Sequence, residues 1–271
     1  MSSATNTGDV EVRQHGKLYW ALADGFVLAR RNLVQIPRIL ELLVFATVQP
    51  VMFVLLFRYV FGGAIDVGGE SYVNYLMAGI FVQTVAFGGI STGVGLSEDL
   101  HKGLVDRFRS LPMARSAVLT GRTIADLVRN LFVVLVMLLV GLLVGFRPDA
   151  GLAGWAGAIG LLLLLSFSFS WIGATIALLM RNTEAVQSAG FIWLFPLTFA
   201  SSAFVQTDNM PGWLEAFANH QPMTQVIDAV RAFLLDQPVG SHGWQALAWC
   251  LGILAVFIPL SVSLYRRVAA R

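Results

Sequence analysis

The sequence predicts an all-α integral membrane protein of six transmembrane helices. An N-terminal interfacial amphipathic helix precedes the first, a charged cytoplasmic helix lies between spans 2 and 3, and an outer re-entrant hairpin lies between spans 5 and 6. Three observations predict this. Of 271 residues, 56% are hydrophobic and only 13% charged, with a mean hydropathy of +0.72, well above that of soluble domains. Six apolar runs, at about 39–61, 72–96, 124–146, 152–180, 186–206 and 242–265, reach the roughly 20 residues that carry a helix across about 30 Å of hydrocarbon. Such lengths fit helices, which satisfy their own backbone groups in lipid, rather than the roughly ten-residue strands of a barrel. Third, 15 of the 18 Lys and Arg fall on one side of this arrangement, leaving only Arg58, Arg147 and Arg231 opposite. That excess marks the cytoplasmic side, so both termini and the 97–115 segment are cytoplasmic.

Residues 1–16 form a polar tail without the basic, apolar, small-residue order of a cleaved signal. The first span is therefore read as an uncleaved anchor, and residues 17–271 as a single transmembrane domain. Within 17–36, Leu18, Leu22, Phe26, Ala29, Leu33 and Ile36 share one stripe beside Arg30, Arg31 and Arg38. Such a helix lies in the interface, or else serves as a basic stop flanking the span. Pro37 disfavours helical geometry at the residue before it and separates it from span 1.

Between spans 2 and 3, Leu100, Leu104, Val105, Phe108 and Leu111 recur at helical spacing, with Glu98, Asp99, Lys102, Asp106, Arg107 and Arg109 on the other side. Ser97 suits the N-cap of a separate helix, with Glu98 and Asp99 in its first turn. Ser110-Leu-Pro112 ends it, and a second helix runs from about Arg115 into span 3. A short rigid helix strung between spans can turn movement of a soluble motor into tilting of the bundle; a solvated loop is the other reading.

Residues 62–71 form a short outer loop. Residues 207–240, also outside, carry Trp213, Leu214, Phe217, Val226, Ile227, Val230, Phe233 and Leu234 but are punctuated by Pro211, Pro222 and Pro238. Two half-inserted helical pieces, at about 212–219 and 223–235, fit this pattern, with Trp213 at headgroup depth. Trp213, Phe217 and Pro222 mark the outer hairpin. Glycines at 89 and 93, at 141 and 145, and at 151, 154, 157 and 160 allow close helix approach. The sequence has no 20–50-residue repeat and no inverted duplication.

The chemistry is sparse. No G-x-x-x-x-G-K-[ST] loop occurs, so the chain does not hydrolyse ATP on its own and is expected to bind no cofactor. His15, His101, His220 and His242 are scattered, Cys250 stands alone inside the last span, and neither catalytic nor metal-ligating residues are assigned. Glu41, Arg58, Asp126 and Arg129 lie within a turn or two of span ends, which weighs against proton coupling through a mid-membrane acid. Neutral polar residues are more central: Gln83, Thr84, Ser91 and Thr92 in span 2, Ser166, Ser168 and Ser170 in span 4, and Thr198, Ser201 and Ser202 in span 5. They line a route for an amphipathic solute or hydrogen-bond between helices. The alternatives to weigh are a proton-driven secondary efflux carrier and a membrane lipid-modifying enzyme.

Two stretches resemble the permease subunits of type-2 ABC exporters, specifically the daunorubicin/doxorubicin-resistance group. One is Glu98-Asp-Leu-His-Lys-Gly-Leu-Val-Asp-Arg-Phe-Arg-Ser-Leu-Pro-Met-Ala-Arg115, continuing through Gly121-Arg-Thr-Ile-Ala-Asp-Leu-Val-Arg-Asn130. The other is Pro211-Gly-Trp-Leu214 with Asn219-His-Gln-Pro-Met-Thr-Gln-Val-Ile-Asp-Ala-Val-Arg-Ala232, where Gln221-Pro222-Met223-Thr224 replaces the family's usual Asn-Pro-hydrophobic-Thr. The resemblance implies a dimer of six-span permeases in a bacterial plasma membrane, homo- or heteromeric, moving a hydrophobic or amphipathic compound outward. It further implies a separate cytoplasmic ABC ATPase dimer that binds ATP and magnesium, membrane lipids as surroundings, and no nucleic acid. Residues 97–109 then correspond to the coupling helix, with Glu98, Asp99, Leu100, Lys102, Leu104, Asp106, Arg107, Phe108 and Arg109 as its ATPase-coupling residues. Spans 2 and 5 correspond to the dimer-facing elements, so Gln83, Thr84, Thr92, Thr198, Ser201 and Ser202 are expected along the substrate path.

Overall fold

A computed structural model describes residues 40–65, 71–101, 115–180 and 182–268. The interfacial helix expected at 17–36 and most of the charged helix at 97–109 fall outside these residues. Among the described residues the chain is helical throughout, without strands. Helix α1 (Leu40–Leu56) continues as a wider π-helical turn over Phe57–Phe61. There follow α2 (Tyr72–His101), α3 (Arg115–Val144), α4 (Leu152–Met180) and α5 (Thr183–Phe199). A 3₁₀ turn at Thr207–Asn209 leads to α6 (Gly212–His220), α7 (Pro222–Leu234) and α8 (His242–Val268). Four of these helices, α2, α3, α4 and α8, are long and apolar enough to cross a membrane. The protein is a multi-pass membrane protein.

Helix α2 is the centre of the bundle, packed against α1, α3, α4, α5 and α7. Within its most apolar stretch 89% of residues are buried, against 28% for α3 and 11% for α8, so α3 and α8 form the periphery. Small residues let α2 come this close to α4. A Cβ added at Gly89 would stand 2.7 Å from the Phe169 carbonyl oxygen, and one at Gly93 2.7 Å from that of Gly173. At Gly173 a methyl would run into the Gly89 carbonyl. With backbones in contact, dispersion between helices replaces the hydrophobic drive that lipid cannot supply. Thr92 Oγ1, 3.1 Å from Ser170 Oγ, adds a buried hydroxyl pair at the same crossing. Helix α8 is joined to α4 in a similar way, through Thr175 and Ser261 hydroxyls 2.6 Å apart and the Ser168 hydroxyl donating to the Cys250 carbonyl at 3.2 Å.

Three expectations are corrected. Ser97 does not cap a new helix: α2 runs through it to His101, and Ser97 is fully buried with its Oγ 3.4 Å from Thr183 Oγ1. The fifth predicted span, 186–206, is helical only to Phe199. Pro196 lies inside the helix and removes one ladder bond, the helix runs on to Phe199, and Ala200, donating to the Pro196 carbonyl at 2.8 Å, then leaves helical geometry at ψ 47°. Span 2, expected to face a second copy, is instead enclosed inside its own bundle.

The α2–α4 crossing has a direct test. Gly173→Val forces the helices apart and is expected to cost about 1–3 kcal/mol, the usual penalty for overpacking. Gly160→Val, at a position with no atom within 4 Å of the added Cβ, serves as the control that should leave the melting temperature in detergent unchanged.

Candidate functional site

Polar groups gather at both ends of α2. At its C-terminal end, Asp99 accepts from Arg122 of α3 at 2.5 Å, and Arg122 Nε lies 4.0 Å from Asp126 Oδ2 one turn further along its own helix. Arg129, one more turn on, reaches Asp126 Oδ1 at 3.5 Å and donates to the Gly88 carbonyl of α2 at 3.3 Å. Asn130 then donates to Ser166 Oγ of α4 at 2.7 Å. Mutual pairing of these opposite charges offsets the cost of holding them in an apolar bundle. Of the residues expected to couple to an ATPase, Glu98, Asp99 and Leu100 form the last turns of α2. Glu98 is exposed and Leu100 packs against the apolar cluster around Leu96 and Tyr265. Lys102, Leu104, Asp106, Arg107, Phe108 and Arg109 lie outside the described residues.

The N-terminal end of α2 meets the non-helical stretch after α5. Arg231 of α7 is buried and donates three ways: from Nε to the Tyr75 carbonyl at 3.3 Å, from Nη1 to Asp228 Oδ1 at 2.5 Å, and from Nη2 to the Ser202 carbonyl at 2.6 Å. Its guanidinium carbon stands 3.7 Å from the centroid of the Tyr75 ring, a cation–π contact. Ser202 Oγ donates to the same Asp228 oxygen at 2.7 Å, and Tyr72 Oη donates to the Phe204 carbonyl at 3.1 Å. One arginine thereby ties together α2, α7 and the non-helical stretch after α5.

Gln221 performs the matching task for the carbonyls freed by that break. Its Nε2 donates to Leu197 at 2.9 Å and Ala200 at 3.0 Å, while its Oε1 caps α7 by accepting from Met223 N at 3.2 Å. Pro222 occupies the first turn of α7, where a missing N–H costs nothing. The family-like motif with glutamine at this position therefore serves both the start of α7 and the end of α5.

The expected path residues have different partners. Thr92 belongs to the α2–α4 crossing, where its hydroxyl also bonds the Gly88 carbonyl at 3.2 Å. Thr198 and Ser201 bond back to the carbonyls of Leu194 and Thr198, and Ser202 belongs to the Arg231 cluster. Gln83 is buried near the middle of α2, and the half-buried Thr84 beside it has a hydroxyl oxygen without a hydrogen-bond partner. In the outer hairpin, Trp213 and Phe217 of α6 are exposed, whereas α7 is buried on nearly every side. Among the described residues no three His, Cys, Asp or Glu converge in a way that would hold a metal ion.

Sequence reasoning missed the Asp228–Arg231–Tyr75 cluster. Its signal was present in part, because Arg231 was one of only three basic residues on the outer side and had an acid three positions before it. Tyr75, 156 positions away in sequence, carried no such signal.

Comparisons with known proteins agree with this architecture. A family model described as ABC-2 type transporter matches residues 24–235. The chain is 38% identical over 222 residues to the daunorubicin resistance ABC transporter permease protein DrrB1 of Streptomyces coeruleorubidus, covering 80% of this chain and 77% of that one. It is 30% identical over 232 residues to the probable doxorubicin resistance ABC transporter permease protein DrrC of Mycobacterium tuberculosis, covering 83% and 81%. A putative transport permease, ycf38, of Cyanophora paradoxa is 25% identical over 219 residues, covering 79% and 74%. The chain belongs to the ABC-2 type transporter family and is the transmembrane permease subunit of an ABC exporter.

Proposed function

We propose that two copies of this permease, with a separate pair of cytoplasmic ATPase subunits, move a hydrophobic or amphipathic compound outward across a bacterial plasma membrane. In this reading six segments span the membrane with both termini cytoplasmic, and the ATPases bind ATP and magnesium. Residues 97–109 form the coupling segment, through Glu98, Asp99, Leu100, Lys102, Leu104, Asp106, Arg107, Phe108 and Arg109. The cargo resembles the anthracyclines named for the relatives, or a lipid of similar amphipathic character.

The observation that carries the reading is the outer hairpin. Helix α7 has 13 residues, about 20 Å, too short to cross, yet is buried among α2, α4 and α8. Non-helical backbone at membrane depth is tolerated only where protein or a water-filled cavity surrounds it. A re-entrant α6–α7 pair closing the outer end of a path fits that rule, with exposed Trp213 and Phe217 of α6 at headgroup depth and Pro222 starting the inward helix.

Because α2 is enclosed, the second copy is assigned to α1 and α5. Both have 17 residues, both flank the broken segment, and their outer ends share a run of rings. Phe57 stacks on Phe204 at 4.3 Å and Phe195 on Phe199 at 4.3 Å, with Phe199 5.2 Å from Phe204. Met52, Tyr59, Ile192 and Phe195 of these two segments are exposed. Of the path residues, Thr198, Ser201 and Ser202 adjoin it at the α5 break, whereas Thr92 serves the α2–α4 crossing and Gln83 and Thr84 lie at mid-helix. A transport cycle that loosens the α5 break would expose the first three groups to cargo.

Three outcomes follow from this reading. Co-expressed with an ATPase from a neighbouring reading frame, the permease is expected to co-purify with it and drive ATP-dependent doxorubicin uptake into inverted vesicles. Uptake by the permease alone in a proton gradient would establish a secondary carrier instead. Asp106→Arg combined with Arg109→Glu should separate ATP hydrolysis from uptake while leaving membrane insertion intact, and unchanged uptake would count against the coupling assignment. Arg231→Ala strands Asp228 without its cation and should cost about 3 kcal/mol, read as a lower melting temperature in detergent. The Arg231→Ala/Asp228→Ala double variant should recover part of the loss.

A further inference from the structure

The segment Gly121–Asn130 carries a strong family resemblance, but nothing above gives Arg122 a task in transport. Its surroundings do. Arg122 lies against α2 where α2 has no side chain: a Cβ at Gly95 would collide with the guanidinium. Seven residues earlier, and so on the same face, Gly88 leaves room for the Asn130 amide, which would stand 2.4 Å from an added Cβ. Two glycines two turns apart thus form seats for two polar side chains of the antiparallel helix α3. Arg122 is held in its seat by Asp99 at 2.5 Å, and Arg129 reaches the Gly88 carbonyl at 3.3 Å. The cytoplasmic ends of α2 and α3 are therefore clasped at two levels, and these are the helices between which the proposed coupling segment is strung.

Helix α2 has little freedom to bend. Its flanks are buried, and at Gly89 and Gly93 its backbone rests on that of α4. From Asp99 to Tyr75 it spans about 36 Å, and at Tyr75 its carbonyl and ring both contact Arg231 of the outer hairpin. A displacement at one end of such a rod arrives at the other. Without the clasp, a push on the segment between α2 and α3 would spread the two helices instead of moving α2 along its axis.

We propose that Arg122 is a positioning residue for energy coupling: seated on Gly95 and bound to Asp99, it makes α2 and α3 move as one, so that work done on the cytoplasmic segment reaches the α6–α7 hairpin through α2. The inference rests on the ATPase-driven reading above.

The test uses the assembled permease–ATPase complex in nanodiscs and needs no knowledge of the cargo. The chain's one cysteine, Cys250, is buried, so a spin label on Ala216→Cys at the exposed surface of α6 reports the hairpin-to-hairpin distance with and without ATP and vanadate. Gly95→Ala is the decisive variant, because it keeps every charge and displaces only the flexible end of Arg122. Gly95→Ala and Arg122→Ala are expected to hydrolyse ATP within twofold of the parent rate while the ATP-dependent distance change falls at least fivefold. Arg122→Lys should restore part of that change. A full distance change in Gly95→Ala overturns the inference, as does a parent complex that hydrolyses ATP without moving the hairpin. If Arg122→Ala fails to accumulate, Gly95→Ala decides alone. Failure of any ATPase to assemble with the permease sinks the exporter reading itself, an outcome distinct from normal assembly with an unaffected Gly95→Ala.

Discussion

The backbone contact between α2 and α4 at Gly89, Gly93 and Gly173 is the constraint from which the rest of the bundle follows. It draws α2 inward until α3, α5 and α7 can close around it, and leaves α3 and α8 to meet lipid. A helix so enclosed cannot offer a broad face to a second copy. It can connect the two membrane surfaces, and polar clusters hold it at both ends. Dispersion packing along the middle with ionic joints at the termini suits a medium in which apolar burial gains little and an unpaired charge is costly.

A second constraint follows from the end of α5 at Phe199. Where α5 ends at Phe199, carbonyls at 197 and 200 need donors inside an apolar protein, and Gln221 supplies both from one amide. The extra methylene of glutamine over asparagine lengthens that reach, which gives the departure from the usual family motif a structural use. Arg231 then secures the chain beyond the break to α2. The junction of α5 with α6 and α7 is thus a set of helix ends whose backbone groups are satisfied by side chains brought from a distance.

Much of this was legible in advance. Membrane character, helical class, four of the long spans and both short helices of the outer hairpin followed from hydropathy, proline placement and the distribution of Lys and Arg. Absence of a phosphate loop pointed to a partner for any ATP-driven work, and two motifs pointed to the family. The errors arose where local rules met tertiary contacts. Ser97 looked like a helix cap because Ser-Glu-Asp is a good start, yet burial against Thr183 keeps α2 continuous through it. Residues 200–206 looked like span because they are apolar enough, but the chain leaves helical geometry at Ala200. For the polar residues of spans 2, 4 and 5 the sequence left open a solute route or hydrogen bonds between helices, because sequence gives depth but not direction.

By itself the sequence determined what this chain must do with solvent: which stretches are apolar enough to enter lipid and where along the chain the charges gather. These are properties of single residues and short windows, set by transfer free energy and backbone geometry. Only the tertiary structure decided that α2 lies at the centre, that Arg122 is seated on Gly95 and paired with Asp99, and that Arg231 joins Tyr75 to the break after α5. Those pairings depend on which helix faces face each other, and in lipid that is settled by the shape of small-residue surfaces and by a few long-range polar contacts, which hydropathy along the chain does not encode.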